Sequence, residues 1–146
     1  DLLYAVERLQ FKDIRIALDL DGAAGHTAQI IRALLGPQHL QNEAYVGIGL
    51  GLFDQGFSYQ AVVELAMGVV PIFAGGSSNA DFVRHLYRNV VGVDASAADV
   101  TLYAGLIDSG VYTQASLGLL ACQLALNTAS AELTGLASTG IEFLPG

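Results

Sequence analysis

Two stretches of this 146-residue chain follow one pattern, and a pattern written twice confines the fold more than any single motif does. Ile30-Ile31-Arg32-Ala33-Leu34-Leu35-Gly36 matches Leu86-Tyr87-Arg88-Asn89-Val90-Val91-Gly92 at an offset of 56 positions. Leu52-Phe53-Asp54-Gln55-Gly56 then matches Leu106-Ile107-Asp108-Ser109-Gly110 at an offset of 54, so the first copy carries two extra residues between its anchors. The match runs on through Gln60-Ala61 and Gln114-Ala115. A single copy leaves its apolar face uncovered, and stacking the copies buries both faces. The repeat thus specifies packing and carries no reaction chemistry of its own.

The hydrophobic period changes once along the chain. From Val6 to Leu20 it is two: Leu9 and Phe11 oppose Arg8 and Gln10, then Ile14, Ile16, Leu18 and Leu20 oppose Arg15, Ala17 and Asp19. With Lys12-Asp13 as the turn, this predicts a β-hairpin, which is marginal alone in water and needs a neighbour. Ile141-Glu142-Phe143-Leu144 alternates in the same way and is a candidate third strand. After Asp21-Gly22 the period becomes helical. Helices are predicted from His26 to Leu35, from Asn42 to Gln55, and from a Ser58 cap to about Val70 before Pro71. A Gly75-Gly76-Ser77-Ser78 loop leads to a fourth helix capped by Ser78 or Asn79, with Phe82, Val83, Leu86, Val90 and Val91 on its buried stripe. Ser96 opens a fifth that ends at Gly110, and Thr113 opens a sixth through Leu126, before an Ala/Thr/Ser/Gly-rich stretch to Gly140. The predicted fold is mainly α and a single domain over residues 1–146. A short N-terminal β-hairpin (1–22) precedes two pseudo-repeats of three helices (23–76 and 77–131) that form one bundle, and a tail or strand closes the chain (132–146).

Composition narrows the function classes. The chain is 53% hydrophobic but only 14% charged, against about 25% charged residues in an average soluble domain, so apolar surface is expected to face a partner. Its net charge of −8 and single lysine, Lys12, leave no cationic patch for counterion release, which argues against nucleic acid and against anionic membrane surfaces. The longest apolar run, Ala61 to Ala74, is interrupted by Glu64 and Pro71 and reads as core, so no membrane insertion is expected. One cysteine, Cys122, permits neither an internal disulfide nor a thiolate metal cluster. The chain starts without an initiator methionine or a leader pattern, and it is expected to begin inside a longer polypeptide.

Each residue set that suggests chemistry has a plainer reading. Gly47-Ile48-Gly49-Leu50-Gly51 lacks the third glycine of a dinucleotide loop, where Leu52 stands, and it falls inside a helix. Glycines there cost about 1 kcal/mol each relative to alanine, which implies that another backbone or a ligand comes close. Gly47, Gly49 and Gly51, with Tyr45 and Tyr103 as amphipathic contacts, are therefore the binding candidates, placed in a seam between the repeats. Asp19-Leu20-Asp21-Gly22 resembles the front of a calcium loop and makes Asp19 and Asp21 metal candidates; the plainer reading is a turn with Asp21 capping the first helix. No other cofactor is implied. His26, His39 and His85 lack zinc spacing, Cys122 sits in an apolar run, and Asp54 and Asp108 precede the helix-ending glycines. No nucleophile, base and orienter stand at workable spacing, so the chain is expected not to be an enzyme.

Several of these segments together resemble a known bacterial family. They are Glu7-Arg8-Leu9-Gln10-Phe11, Ala17-Leu18-Asp19-Leu20-Asp21-Gly22, Ala44-Tyr45-Val46-Gly47-Ile48-Gly49-Leu50, and Asn79-Ala80-Asp81-Phe82-Val83 followed by Leu86 to Gly92. The family is a domain of unknown function near the C-termini of secreted proteins, often beside calcium-binding RTX repeats, helical and distantly similar to phycobilisome linker domains. The similarity spans about Val6 to Phe143. Typical members place a tryptophan where this chain has its glycine-rich helix, and this chain has no tryptophan. The resemblance implies a non-catalytic accessory or structural module, extracellular or at the cell surface, exported with its parent by a type I route. Such a module aids assembly, attachment or export, with the upstream domain of the same polypeptide as partner. The alternative is a binding module for a glycan or a protein.

Overall fold

The computed structural model describes residues 8–10, 15–17, 22–124 and 141–143, and over them the chain is mainly helical. Backbone pairing sets Arg8–Gln10 (β1), Arg15–Ala17 (β2) and Ile141–Phe143 (β3) side by side in the order β1-β2-β3, both pairs antiparallel. Arg8 lies opposite Ala17, and Ala17 opposite Ile141. The Lys12-Asp13 turn, Asp19, Asp21 and the stretch from Asn127 to Gly140 lie outside the described residues.

Helix α1 (Ala23–Ile30) begins three residues earlier than its apolar pattern suggests, because Ala23, Ala24 and Gly25 extend it toward Gly22. Gly22 occupies the cap position, with no side chain to close the first turn. From Ile31 to Leu35 the helix widens into a π-turn, in which the Gly36 amide donates to the Ile31 carbonyl at 2.8 Å. Gly36 turns away at φ 127°, a value that side chains rarely adopt, and Pro37 follows with no N–H to offer. Pro37–Gln41 makes a tight 3₁₀ turn; the two extra residues of the first copy lie between Gly36 and Asn42, where the second copy runs directly from Gly92 to Ser96.

Asn42 then caps α2 (Glu43–Asp54) by accepting from the Tyr45 amide, and Ser58 caps α3 (Tyr59–Met67). The apolar run past Met67 is not one helix. Gly68 and Val69 break it, and Pro71, expected to end it, instead stands in the first turn of a separate short helix, α4 (Val70–Ala74), where its missing N–H has no partner to lose. Ser78, Ser96 and Thr113 cap α5 (Asn79–Val91), α6 (Ala97–Asp108) and α7 (Gln114–Gln123) through their side-chain oxygens. The caps Ser58 and Thr113 stand 55 positions apart, so the Gln60/Gln114 match slips by one: a single residue separates Gly56 from Ser58, but two separate Gly110 from Thr113.

Within residues 22–124, α1 packs on α2 and α5 on α6, while the π-turn meets α5 and α3 meets α7. Phe82, Leu34, Leu50, Val46, Val63 and Val70 fill the fully buried centre. Two polar residues share that interior, Thr27 and Asn89. Asn89 corrects the expected stripe of α5: it is 5% exposed, whereas Val91 is 42% exposed.

The burial of Asn89 has a clear cause. The last carbonyls of a helix have no partner within it, and here the Ala33 and Leu34 oxygens face α5 where the following proline donates nothing. Asn89 Nδ2 donates to the Ala33 oxygen at 3.0 Å, and His85 Nε2–H donates to the Leu34 oxygen at 2.7 Å. Both nitrogens act as donors, so their mutual 3.0 Å separation is an approach and not a bond. Burial lowers the His85 pKa from its usual 6.5 and outweighs the Leu34 contact, which acts in the opposite sense. Below pH 6.5 the unfolded chain takes up a proton more readily than the folded one, and stability falls with pH through that window. Thermal melts at stepped pH should therefore show a steeper acid loss for the wild type than for His85→Gln, whose amide keeps a donor but does not titrate. Asn89→Leu, which strands the buried Ala33 oxygen, should lose about 2 kcal/mol in urea unfolding.

Candidate functional site

The binding candidates are not brought to one place. Tyr45 and Gly49 line an apolar cleft of about 250 Å³ formed by α1 with its π-turn, α2, α3 and α4, all between residues 27 and 73. Tyr103 lines a second, of about 290 Å³, formed by α5, α6 and α7 between residues 83 and 124. Neither cleft spans the seam between the two copies. Gly47 is buried and Gly51 half-buried, and neither lines a cleft. The strand β3 runs next to α2.

Nine wall positions of the first cleft have counterparts in the second. Ile30, Ile31 and Leu35 in the first stand 56 positions before Leu86, Tyr87 and Val91 in the second. Val62, Leu65, Ala66 and Val69 stand 55 before Leu117, Leu120, Ala121 and Leu124, and Gly49 stands 54 before Tyr103. Thr27 likewise stands 56 before Val83. Three pairs change character: aliphatic Ile31 gives way to the phenol Tyr87, Gly49 to the ring of Tyr103, and the hydroxyl of Thr27 to the methyl groups of Val83. Sequence periodicity missed most of these residues because a cleft wall and a core face share the same apolar code. The readable signal was their surplus: Ile48, Leu65, Val69 and Ile72 stay exposed around the first cleft, and Leu102, Leu120 and Leu124 on or near the second helical group.

Gly49 explains its own lack of a side chain. A Cβ there would lie 2.6 Å from Thr27 Cγ2 and 3.1 Å from Thr27 Oγ1, so the close approach is to a neighbouring side chain on α1. Thr27 is 1% exposed, and its hydroxyl has no hydrogen-bond partner among the described residues.

Two aromatic sets pack among these helices, and Tyr45 and Phe73 of one of them line the first cleft. His39, Tyr45 and Phe73 form one set, with the His39 and Phe73 rings 4.7 Å apart, and His26, Phe53 and Tyr59 form another. The Tyr59 hydroxyl donates to Gln29 Oε1 at 2.9 Å, and its pKa is pushed up, chiefly by burial. Cys122, fully buried beside Tyr59, has its thiol pushed up to about 12 by burial, so it stays protonated and unreactive at neutral pH. Asp108 and Asp54 are exposed, and Asp108 Oδ1 accepts from Asn79 Nδ2 at 2.6 Å. A polar cleft of about 470 Å³ holds Arg84 and Arg88, which pair with Asp81 and Asp94 respectively. Among the described residues, no group of three or more His, Cys, Asp or Glu side chains gathers as a ligand set, and no helix is long and apolar enough to cross a membrane.

Comparison with models of known protein families, with curated proteins and with solved structures returns no match. The fold and its clefts therefore define only a class: a mainly helical domain with two apolar concavities.

The glycines test the geometry directly. Gly105 has open space where a Cβ would stand, so Gly105→Ala should raise stability by up to about 1 kcal/mol through helix propensity. Gly49→Ala gains the same propensity but must displace buried Thr27, and it should lose about 1 to 2 kcal/mol net. Equal effects of the two substitutions on the urea midpoint would contradict this placement.

Proposed function

We propose that this domain is an internally duplicated, non-catalytic accessory module of a longer bacterial polypeptide exported to the cell surface or beyond, and that its apolar clefts do its work. The observation that carries this reading is the pair of clefts with corresponding walls, each rimmed by exposed aliphatic side chains in a chain of low charge content. A three-helix unit copied with its concavity copies a binding surface along with the packing. The family resemblance supports the secreted setting, and the sheet edge and the second cleft suit contact with the upstream domain of the same polypeptide.

Between the partners that a binding role admits, a protein suits the second cleft better than a glycan. Sugar hydroxyls need polar partners, and apart from the Tyr87 and Tyr103 hydroxyls the walls there are Leu, Val and Ala side chains. Leu and Val side chains from a neighbouring segment lose nothing by entering.

Leu65 and Leu120 are exposed on the cleft walls, so Leu65→Asp and Leu120→Asp should leave the melting temperature within a few degrees of wild type. In the full-length parent, the double variant should cut secreted or surface-attached protein several-fold. Unchanged export, attachment and parent folding would remove the support for an accessory role.

A further inference from the structure

From the first cleft we infer a site for a small neutral amphiphile: an alkyl chain carrying one uncharged oxygen acceptor, such as an alcohol or an acyl ester, bound with that oxygen on Thr27. The inference rests on reading the clefts as binding surfaces, and it assigns this one a ligand class.

Three observations converge on it. The cleft encloses about 250 Å³ and is walled by Ile31, Leu52, Val62 and Ile72, among others, with no charged side chain in the lining. An engineered apolar cavity of about 150 Å³ accepts benzene, so a medium-length chain is within its capacity. Second, the Thr27 hydroxyl is buried at this cleft and unpartnered among the described residues, at the edge of α2 that Gly49 leaves bare. A water there would find too few further polar groups to hold it, whereas a ligand brings its own acceptor together with the apolar surface that fills the space. Third, the matching positions of the second cleft are Val83 and Tyr103, so no threonine hydroxyl stands there. The two clefts thus differ at the two positions that touch in the first, where Thr27 brings a buried hydroxyl to the wall.

The head group is neutral for a physical reason. A carboxylate would enter an uncharged, apolar lining within a protein of net charge −8, and no cation lines the cleft to receive it. Ile72, 77% exposed at the rim, and Val69 beside it give the chain an open entrance.

The test is a titration of the isotope-labelled full chain with 1-octanol, methyl octanoate, octanoate at about pH 8, and toluene as a probe without an oxygen, followed by methyl NMR. Saturable shifts at the Thr27, Ile31 and Val62 methyls are expected with octanol and methyl octanoate, and binding at least tenfold weaker with octanoate. Thr27→Val, close to isosteric, should weaken octanol about fivefold and leave toluene unchanged. No saturable shift at those methyls, octanoate binding as tightly as octanol, or octanol binding unaltered in Thr27→Val would overturn the inference. If these methyls respond as expected while the double aspartate variant of the parent is still exported and attached normally, the ligand site stands and the accessory role falls. The reverse pair of results removes the ligand site alone.

Discussion

The arrangement of this domain depends on how one buried helix end is satisfied. Where α1 finishes in its π-turn, Gly36 and Pro37 carry the chain away, and the carbonyls of Ala33 and Leu34 point into protein instead of water. A buried carbonyl without a donor costs on the order of 1–3 kcal/mol, and two adjacent ones would oppose packing at the centre of the core. Asn89 and His85, one turn apart on α5, supply both donors. Apolar contacts between the π-turn and α5 would tolerate sliding or rotation. Directional hydrogen bonds do not, and they set the register in which Leu34, Phe82 and Leu86 interlock. The position equivalent to Asn89 in the first copy is Ala33, whose carbonyl Asn89 binds. Whatever symmetry a duplicated pattern implies is thus broken where the halves meet, because one side must donate and the other accept.

Much of the helical layout was legible in the sequence because it is written in local chemistry. Asn42, Ser58, Ser78, Ser96 and Thr113 each place an oxygen over the free amides of a first turn, and Gly36, Gly56, Gly92 and Gly110 each stand just past a helix at positive φ. What was not legible depends on tertiary context. Pro71 fits the end of one helix and the start of another equally well, and only the break at Gly68 decides between them. Asn89 falls outside the predicted apolar stripe, since nothing local announces that another helix will end against it. Gly22 stands where Asp21 was expected to cap, because the alanines after it extend the helix backwards by three residues.

The candidate site was legible only in fragments. Tyr45 and Gly49 do share a cleft, but Gly47 and Gly51, singled out by the same motif, do not line it, and Tyr103 belongs to a different one. The motif mixed two causes of glycine in a helix. At position 49 a side chain is excluded by a neighbour on α1, whereas at position 51 the nearest such atom, Gln55 Nε2, is 4.0 Å away, and spacing alone cannot separate these cases. Thr27, a buried hydroxyl on the first cleft wall, was hidden by the opposite ambiguity, because a threonine inside a helix reads as an ordinary surface residue.

Thr27 and Gly49 also show how a duplicated scaffold can acquire difference without losing its fold. The aliphatic positions of both cleft walls can exchange Ile, Leu and Val at small energetic cost, since volume and polarity barely change. Exchanging Thr27-Gly49 for the Val83-Tyr103 combination would replace a buried threonine hydroxyl by a valine and add a phenol ring, and neither step works alone. A tyrosine at position 49 meets Thr27 at once, and a valine at position 27 leaves the open space lined by hydrocarbon with nothing to orient a ligand. Two coupled positions on facing helices therefore set the two clefts apart, one with a buried threonine hydroxyl in its wall and the other with a tyrosine ring.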